Sequence, residues 1–325
     1  AWIDPSRAVD LALVTHGHAD HARGGHSTTV ATPETLAIMA LRYGVLETGS
    51  TPVAYGETVT LKGGVKATYV PAGHVLGSAQ ILLEHAGERV IVTGDYKRRA
   101  DPTCPPFQVT PCDVFVTEAT FGLPVFRHPP IADEMAKLLA ARENDQGRCV
   151  LVGAYALGKA QRVIAELRAA GFADTIWLHG AMERMCRLYE DHGVDLGDLQ
   201  PVAGVPKAAL ANSIVICPPS ALNDRWSRRL PDPVTAMASG WMRVRQRARQ
   251  RGVELPLIIS DHADWDGLIA SITATGCEEV WVTHGAEDAL VHWAGTAGLR
   301  ARPLHMVGYG EEDAEEGEAG EEAVP

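Results

Sequence analysis

The run Thr15-His16-Gly17-His18-Ala19-Asp20-His21 sets three imidazoles and a carboxylate within six consecutive positions. Such crowding is too polar for a core and too costly without a partner, because the lone pairs and charges need compensation. Imidazole nitrogen with carboxylate oxygen is the donor set of zinc, and less exclusively of manganese or iron. His16 and His18 are two apart, so on an extended run they point the same way. Asp20 and His21 follow where the chain turns, which divides four donors between two neighbouring metal positions. Further polar residues close later apolar runs: Asp95, Glu118, the pair Asp261-His262, and His284. Donors at strand ends build a site on one rim of a sheet, where α/β folds usually carry function.

The elements that must hold these residues are legible as periodicity. Strand-like apolar runs fall at 11–15, 66–70, 90–93, 114–117, 149–154, 175–178, 214–217, 257–260 and 280–283. Helical patterns fill 32–43, 131–142, 159–169, 182–192, 265–274 and 286–297. Strands alternating with helices predict an α/β architecture. The chemistry-bearing residues lie at both ends of the chain and are sparse between about 125 and 235, so the middle reads as a domain inserted into the metal-binding one. A chain of 325 residues with 46% hydrophobic content suffices for two moderate cores.

Composition narrows the class. No apolar run reaches membrane-spanning length, and Ala1-Trp2-Ile3-Asp4-Pro5 is neither a signal nor a transit peptide. Cys104, Cys112, Cys149, Cys186, Cys217 and Cys277 form no C-x-x-C pair, which argues against a thiolate zinc site and for buried free thiols in a reducing cytoplasm. The net charge of −12 is lopsided: residues 311–325 hold eight acids and no base, so the rest of the chain carries −4. That tail reads as low-complexity, self-repelling and disordered.

The first motif, His-x-His-x-Asp-His after an apolar strand, resembles the signature of the metallo-β-lactamase superfamily. Pro71-Ala72-Gly73-His74 and Thr93-Gly94-Asp95-Tyr96 are similar to its later motifs and stand in the same order. The resemblance implies that His16, His18 and His74 hold one metal, that Asp20, His21 and His284 hold another, and that Asp95 bridges them. The expected cofactors are two zinc ions, with manganese as the alternative. Two such cations ~3.5–4 Å apart stabilise both the attacking and the leaving oxygen of an in-line displacement.

Three more segments resemble the β-CASP nuclease branch of that superfamily, and within it the bacterial ligase-associated DNA exonucleases. They are Val116-Thr117-Glu118-Ala119-Thr120-Phe121-Gly122, Ile259-Ser260-Asp261-His262-Ala263-Asp264 and Val282-Thr283-His284-Gly285. Tyr155-Ala156-Leu157-Gly158-Lys159-Ala160-Gln161 is similar to a turn of the inserted domain of RNA-cleaving relatives. The fold implied is an αββα sandwich, residues 1–125 and 251–310, with an inserted α/β β-CASP cap at 126–250 and the acidic tail at 311–325. The activity implied is metal-dependent phosphodiester hydrolysis, foremost by a DNA exonuclease of repair working near a ligase and a helicase. Asp20, Glu118 and His262 are its catalytic residues, with His262, oriented by Glu118, protonating the leaving oxygen. The family also has an earlier aspartate that braces the first motif, and Asp4 is the candidate.

Nucleic-acid contacts are expected from Arg243 and Arg247, four apart in a run of alternating arginines that reads as one helix. Ser239 and Gly240 offer a hydroxyl and an open amide to a terminal phosphate, and Lys97, with Arg98 and Arg99, lines the same groove. Trp241 and Trp265 are the candidates for stacking a base. His26, His85, His128, His179, His192, His292 and His305 lack ligand spacing and read as ordinary histidines. RNA-processing nuclease and small-molecule metallohydrolase are the competing classes. The second would need neither an arginine run nor a Glu118–His262 pair.

Overall fold

The computed structural model describes residues 1–44, 49–144 and 147–304. It divides into two compact units: residues 1–127 with the described chain from His262 onward, and residues 128–261. The acidic segment 311–325 and His305 lie outside the described residues.

Among the described residues, the first unit contains two sheets. One is parallel, in the order Trp2–Ile3, Leu11–Leu13, Thr28–Ala31, Gly49–Pro52. The other is mixed, in the order Arg300–Pro303, Glu279–Gly285, Val114–Ala119, Glu88–Val92, Ala79–His85, Lys66–Pro71, Thr58–Thr60. Alternation along the strands assigns each side chain to a layer. Leu13, Val30, Tyr69 and Ile81 meet between the two sheets. Their neighbours Val70 and Leu82 turn the other way and join Ile91 and Phe115 beneath helices Trp265–Thr275 and Glu287–Thr296, which contribute Leu268, Ile272, Leu290 and Ala294. On the far side Ala12, Val14 and Ala31 pack against Met39 of helix Pro33–Tyr43. The layers therefore run helix, sheet, sheet, helix, an αββα sandwich. Each fully buried aliphatic side chain contributes about 1.5–3 kcal/mol to holding them.

The helices begin where local chemistry allows. Thr32 caps the first, accepting from the Thr35 amide at 3.2 Å, with Pro33 at the first turn. Asp264 caps the helix after it by accepting from Gly267 N at 3.0 Å, and Gly276, at φ 67°, ends that helix.

The second unit holds a six-stranded sheet, parallel throughout, in the order Leu199–Pro201, Ile176–Leu178, Ile214–Cys217, Val150–Gly153, Val234–Ala238, Leu255–Leu257. Its central strands are buried along their whole length, as expected where both faces are covered. The unit ends later than residue 250 because Leu255–Leu257 pairs as its last strand. That strand was expected at 257–260, but Ser260 and Asp261 lie past it. The short strands at 28–31, 49–52, 58–60 and 199–201, and the longer ones at 79–85 and 234–238, had not been resolved from the pattern. Five of the six cysteines are buried, Cys104 is half-buried, and all are free thiols.

Candidate metal centre

Five strands of the mixed sheet point the same way, and four of them lead into the site: Lys66–Pro71, Glu88–Val92, Val114–Ala119 and Glu279–Gly285. Their C-terminal ends share one rim, so His74, Asp95, Glu118 and His284 arrive together. His16 follows Leu11–Leu13 of the other sheet and joins them. Backbone detail sharpens the aim. Gly94 sits at φ 55°, and a Cβ there would lie 2.6 Å from Thr15 Oγ1, so only glycine lets the two loops close. The ladder between Glu279–Gly285 and Val114–Ala119 shifts register between Val282 and Gly285, which redirects His284.

Asp95 is the hub. Its Oδ2 lies 3.5 Å from His16 Nε2, 3.6 Å from His21 Nε2, 3.7 Å from His74 Nε2 and 3.9 Å from His262 Nδ1, while Oδ1 lies 3.2 Å from His284 Nε2. The distances of 3.5 Å and beyond are too long for hydrogen bonds. They match the edges of a coordination shell, since donors at ~2.0–2.1 Å from a cation sit roughly 3.4 Å apart. Three overlapping groups of donors can each hold a cation, and all include Asp95: with His16, His18 and His74, with His21 and His284, and with Glu118 and His262. Asp20 stands beside the second, its Oδ2 at 3.6 Å from His21 Nε2. His18 Nδ1 and His74 Nε2 are 2.9 Å apart.

Hydrogen bonds behind the imidazoles fix which nitrogen faces the hub. Thr15 Oγ1 gives its proton to Asp4 Oδ2 at 2.6 Å, so toward His16 Nδ1, at 3.0 Å, it can only accept. Thr283 Oγ1 gives its proton to Thr117 O at 3.2 Å and likewise accepts from His284 Nδ1 at 3.1 Å. His21 Nδ1 donates to Asp4 Oδ2 at 2.8 Å. Each of these rings, when neutral, therefore turns a bare Nε2 lone pair toward the Asp95 carboxylate. Lone pairs facing a carboxylate repel unless a proton or a cation lies between them.

Protons answer only part of this. Burial pulls His21 down, but Asp20, Asp95 and Asp4 outweigh it and raise its pKa well above 6.5. Burial likewise opposes the charge on His284, and Asp95 and Glu118 raise it. Burial, with the neighbouring rings of His21, His74 and His18, lowers His16 well below the ordinary range. Burial lowers His18 to about 4 despite Asp20 and Asp95. His16 Nε2 is buried and has no hydrogen-bond partner among the described residues. Imidazoles held neutral, with a lone pair aimed at carboxylate, fit a divalent cation. Burial alone would raise Asp95, yet His21, His262, His284 and His16 hold it well below the usual carboxylate range, in the charged form such a cation requires.

Beside the hub, Glu118 is buried with both oxygens engaged. Oε1 accepts from Tyr96 N at 2.9 Å, and Oε2 accepts from Thr120 Oγ1 at 2.5 Å and lies 2.9 Å from His262 Nδ1. Asp4, which also accepts from Thr15 N at 2.8 Å, occupies the bracing position the sequence suggested. Thr15, Thr283 and Thr120 had not been singled out. Their signal was the repeated Thr-His dipeptide at 15–16 and 283–284, a hydroxyl placed to bond the ring that follows.

Other expected residues fare differently. Lys97 does not line a groove: it is buried, its ammonium 2.6 Å from Asp101 and 3.3 Å from the His74 carbonyl oxygen, because the chain behind Asp95 folds inward. Arg98 donates to Ala270 O at 3.1 Å, and Arg99 pairs with Asp264 at 2.8 Å. Arg243 and Arg247 do not share one helix, because Val244, at φ −89° and ψ 100°, separates the 3-10 turn Gly240–Arg243 from helix Arg245–Gln250. Ser239 and Gly240 are buried, and the Ser239 hydroxyl caps that turn by accepting from Trp241 N at 3.3 Å. Trp241 stacks under the Arg247 guanidinium at 4.2 Å, and Trp265 is buried. Among the remaining histidines, His26 is a core residue, accepting from Val9 N at 3.3 Å, and His179 caps helix Gly180–Asp191.

This arrangement defines a class. Residues 4–153 match the model of the metallo-β-lactamase superfamily, and the chain contains a metallo-β-lactamase domain. Among individual proteins, the chain is 30% identical over 317 residues to a "Probable DNA ligase" of Opitutus terrae, covering 96% of this chain and 30% of that protein. It is 35% identical over 170 residues to "Endoribonuclease YSH1" of Eremothecium gossypii, covering 49% of this chain and 21% of that protein. With "Endoribonuclease YSH1" of Saccharomyces cerevisiae it shares 38% over 116 residues, 34% of this chain and 14% of that protein. The chain thus spans under a third of each. A protein of unknown function from Enterococcus faecalis V583, solved by crystallography, shares the fold at TM-score 0.51 and 14% identity, over 84% of this chain and 74% of that one. Among the described residues, no helix is long and apolar enough to cross a membrane.

Proposed function

We propose that this chain is a two-metal phosphodiesterase that cuts nucleic acid, with DNA as its substrate, acting as an exonuclease in repair. The observation that carries the reading is the His262–Glu118 pair, 2.9 Å apart, set beside the Asp95 hub. In this reading His16, His18 and His74 hold one cation, Asp20, His21 and His284 the other, and Asp95 both; zinc suits the donors, and manganese is the alternative. Bound there, divalent cations supply Lewis acidity, ionising water near neutral pH and neutralising charge on a phosphoryl group.

The protein's own groups do the rest. Glu118, fixed by Tyr96 N and Thr120, holds the His262 ring in one orientation. With Nδ1 engaged by Glu118, proton donation to a leaving oxygen falls to Nε2. Asp20 orients the attacking water by accepting its hydrogen bond. Arg243 and Arg247 attract the phosphate backbone.

The likeness to a protein named as a DNA ligase, along nearly the whole chain, favours DNA and a working link to ligation and unwinding. The likeness to endoribonucleases over about half the chain favours RNA, which stands as the second reading. The test is to incubate zinc- or manganese-loaded protein with end-labelled single-stranded DNA, duplex DNA and matched RNA. Mononucleotides released from DNA alone support the proposal. Internal fragments from RNA alone replace it with the second reading, and no cleavage of any substrate removes both.

A further inference from the structure

The arginines of the second unit differ in what holds them: Arg168 donates to the carbonyl oxygens of Leu196, Phe172, Asp174 and Asp198, and four others meet carboxylates. Arg142 lies 2.5 Å from Asp174, Arg148 3.0 Å from Glu254, Arg162 3.3 Å from Asp261, and Arg187 3.8 Å from Glu190. Each of these has found a carboxylate. Arg225, Arg228, Arg229, Arg245, Arg249 and Arg251 are exposed, and none has a carboxylate partner among the described residues.

These six side chains belong to two segments, one around the 3-10 turns Pro219–Asn223 and Ser227–Arg229, the other around helix Arg245–Gln250. The segments are neighbours. Asn223 Nδ2 donates to Arg251 O at 3.3 Å. Ala221, Leu222 and Leu230 of the first share one apolar cluster with Met242 and Ala248 of the second, laid on Leu151, Val215, Cys217 and Met237 of the parallel sheet. Both segments therefore cover the same sheet face, with their apolar residues inward and their arginines outward.

The charge on this face runs against the rest of the molecule. Residues 207–253 hold nine basic and two acidic residues, a net +7, in a chain whose total is −12. Like charges gathered without counterions repel one another and destabilise the unit unless an anion compensates them. Guanidinium is also the group whose fork geometry matches phosphate oxygens.

We infer that this two-segment face is a binding surface for the sugar-phosphate backbone of a nucleic acid, independent of sequence, and wider than the Arg243–Arg247 pair. Choosing a nucleic acid as the occupant rests on the proposed function. Binding itself does not rest on cleavage, so the two can fail separately. A cluster of exposed cations on one face suits a polymer of closely spaced monoanions, and each phosphate held releases condensed counterions.

The test is made on the full chain in EDTA, where no hydrolysis occurs, with fluorescein-labelled single-stranded DNA followed by anisotropy across a salt series. The variant R225Q/R228Q/R249Q/R251Q is compared with the same four positions changed to lysine, and with K62Q/K66Q on the first unit, where both lysines are exposed. The glutamine variant is expected to bind about 10-fold or more weakly and to flatten the slope of log K against log salt by roughly 2–3, at ~0.7 per lost contact. The lysine variant is expected to keep most of both, and K62Q/K66Q to change neither. Unchanged affinity and slope in the glutamine variant, with its melting temperature and circular dichroism intact, overturn the inference. So does loss of binding to phosphatidylserine vesicles in that variant while DNA binding persists, which would make a lipid surface the occupant. Should the glutamine variant fail to fold, R225Q/R228Q alone is expected to flatten the slope by about 1–1.5, and no change there overturns the inference equally.

Discussion

The metal rim of the first unit and the arginine face of the second are both polar and both built for charge, yet they are constructed in opposite ways. At the rim, Thr15, Thr283 and Asp4 tie the rear of three imidazoles and leave their front nitrogens facing one carboxylate. On the arginine face, six guanidinium groups stand exposed without acid partners among the described residues. The rim is preorganised, so each side chain there has one geometry and none substitutes for another. The face is redundant, so its arginines act in sum and are screened by salt. Loss of one group should therefore be severe at the rim and slight on the face.

The largest expected effect is at the hub. Asp95→Asn removes the charge common to all three donor groups. It should abolish tight binding of at least one cation and reduce turnover to background, read by metal analysis and by release of labelled nucleotide. Full metal content with full turnover would place the chemistry elsewhere. Next comes His262→Ala, expected to lower turnover by about 10²–10⁴-fold while both metals stay bound. Metal loss in this variant would recast His262 as a ligand, and an unchanged rate would remove its acid role. Asp4→Ala acts one layer behind, by freeing Thr15 and His21. Its expected cost is about 10–100-fold in metal affinity, measured by competition with a chelating dye, and an effect below twofold would show the brace to be dispensable. On the arginine face a single Arg→Gln change should alter the salt slope by only ~0.7. A single change that abolished binding would collapse the contrast between the two regions.

The smallest effect concerns the thiols. Burial pushes Cys112, Cys149 and Cys186 up to about 12 and raises Cys217 and Cys277, so at pH 8 they remain protonated. The native protein should offer maleimide only Cys104 at an appreciable rate, and all six after denaturation. Rapid native labelling of Cys149, Cys186 or Cys217 would mean the second unit opens readily, and that its arginine face is not a fixed surface.

Much of the rim was legible in the sequence because crowded histidines and aspartates stand out after apolar strands, and because their order resembles that of the superfamily's motifs. His16, His18, His21, His74, Asp95, Glu118, His262 and His284 converge because parallel strands end together. What the sequence concealed was of another kind. Lys97 follows the hub in the chain and reads as a cation for phosphate, but the backbone turns inward there and pairs it with Asp101. The alternating arginines read as one helix until Val244 takes an extended conformation. The short strands at 28–31 and 49–52 exist because the sheet pairs them, not because their residues alternate. Tertiary pairing decided the strands, and periodicity does not record it.

The central claim is that the Asp95 hub gathers two divalent cations. Its most direct measurement is metal content after chelator-stripped protein is dialysed against zinc or manganese at neutral pH, alongside Asp95→Asn. Two ions per wild-type chain, and fewer in the variant, are predicted. A folded wild-type protein that takes up neither metal, or an uptake indifferent to Asp95, would contradict it.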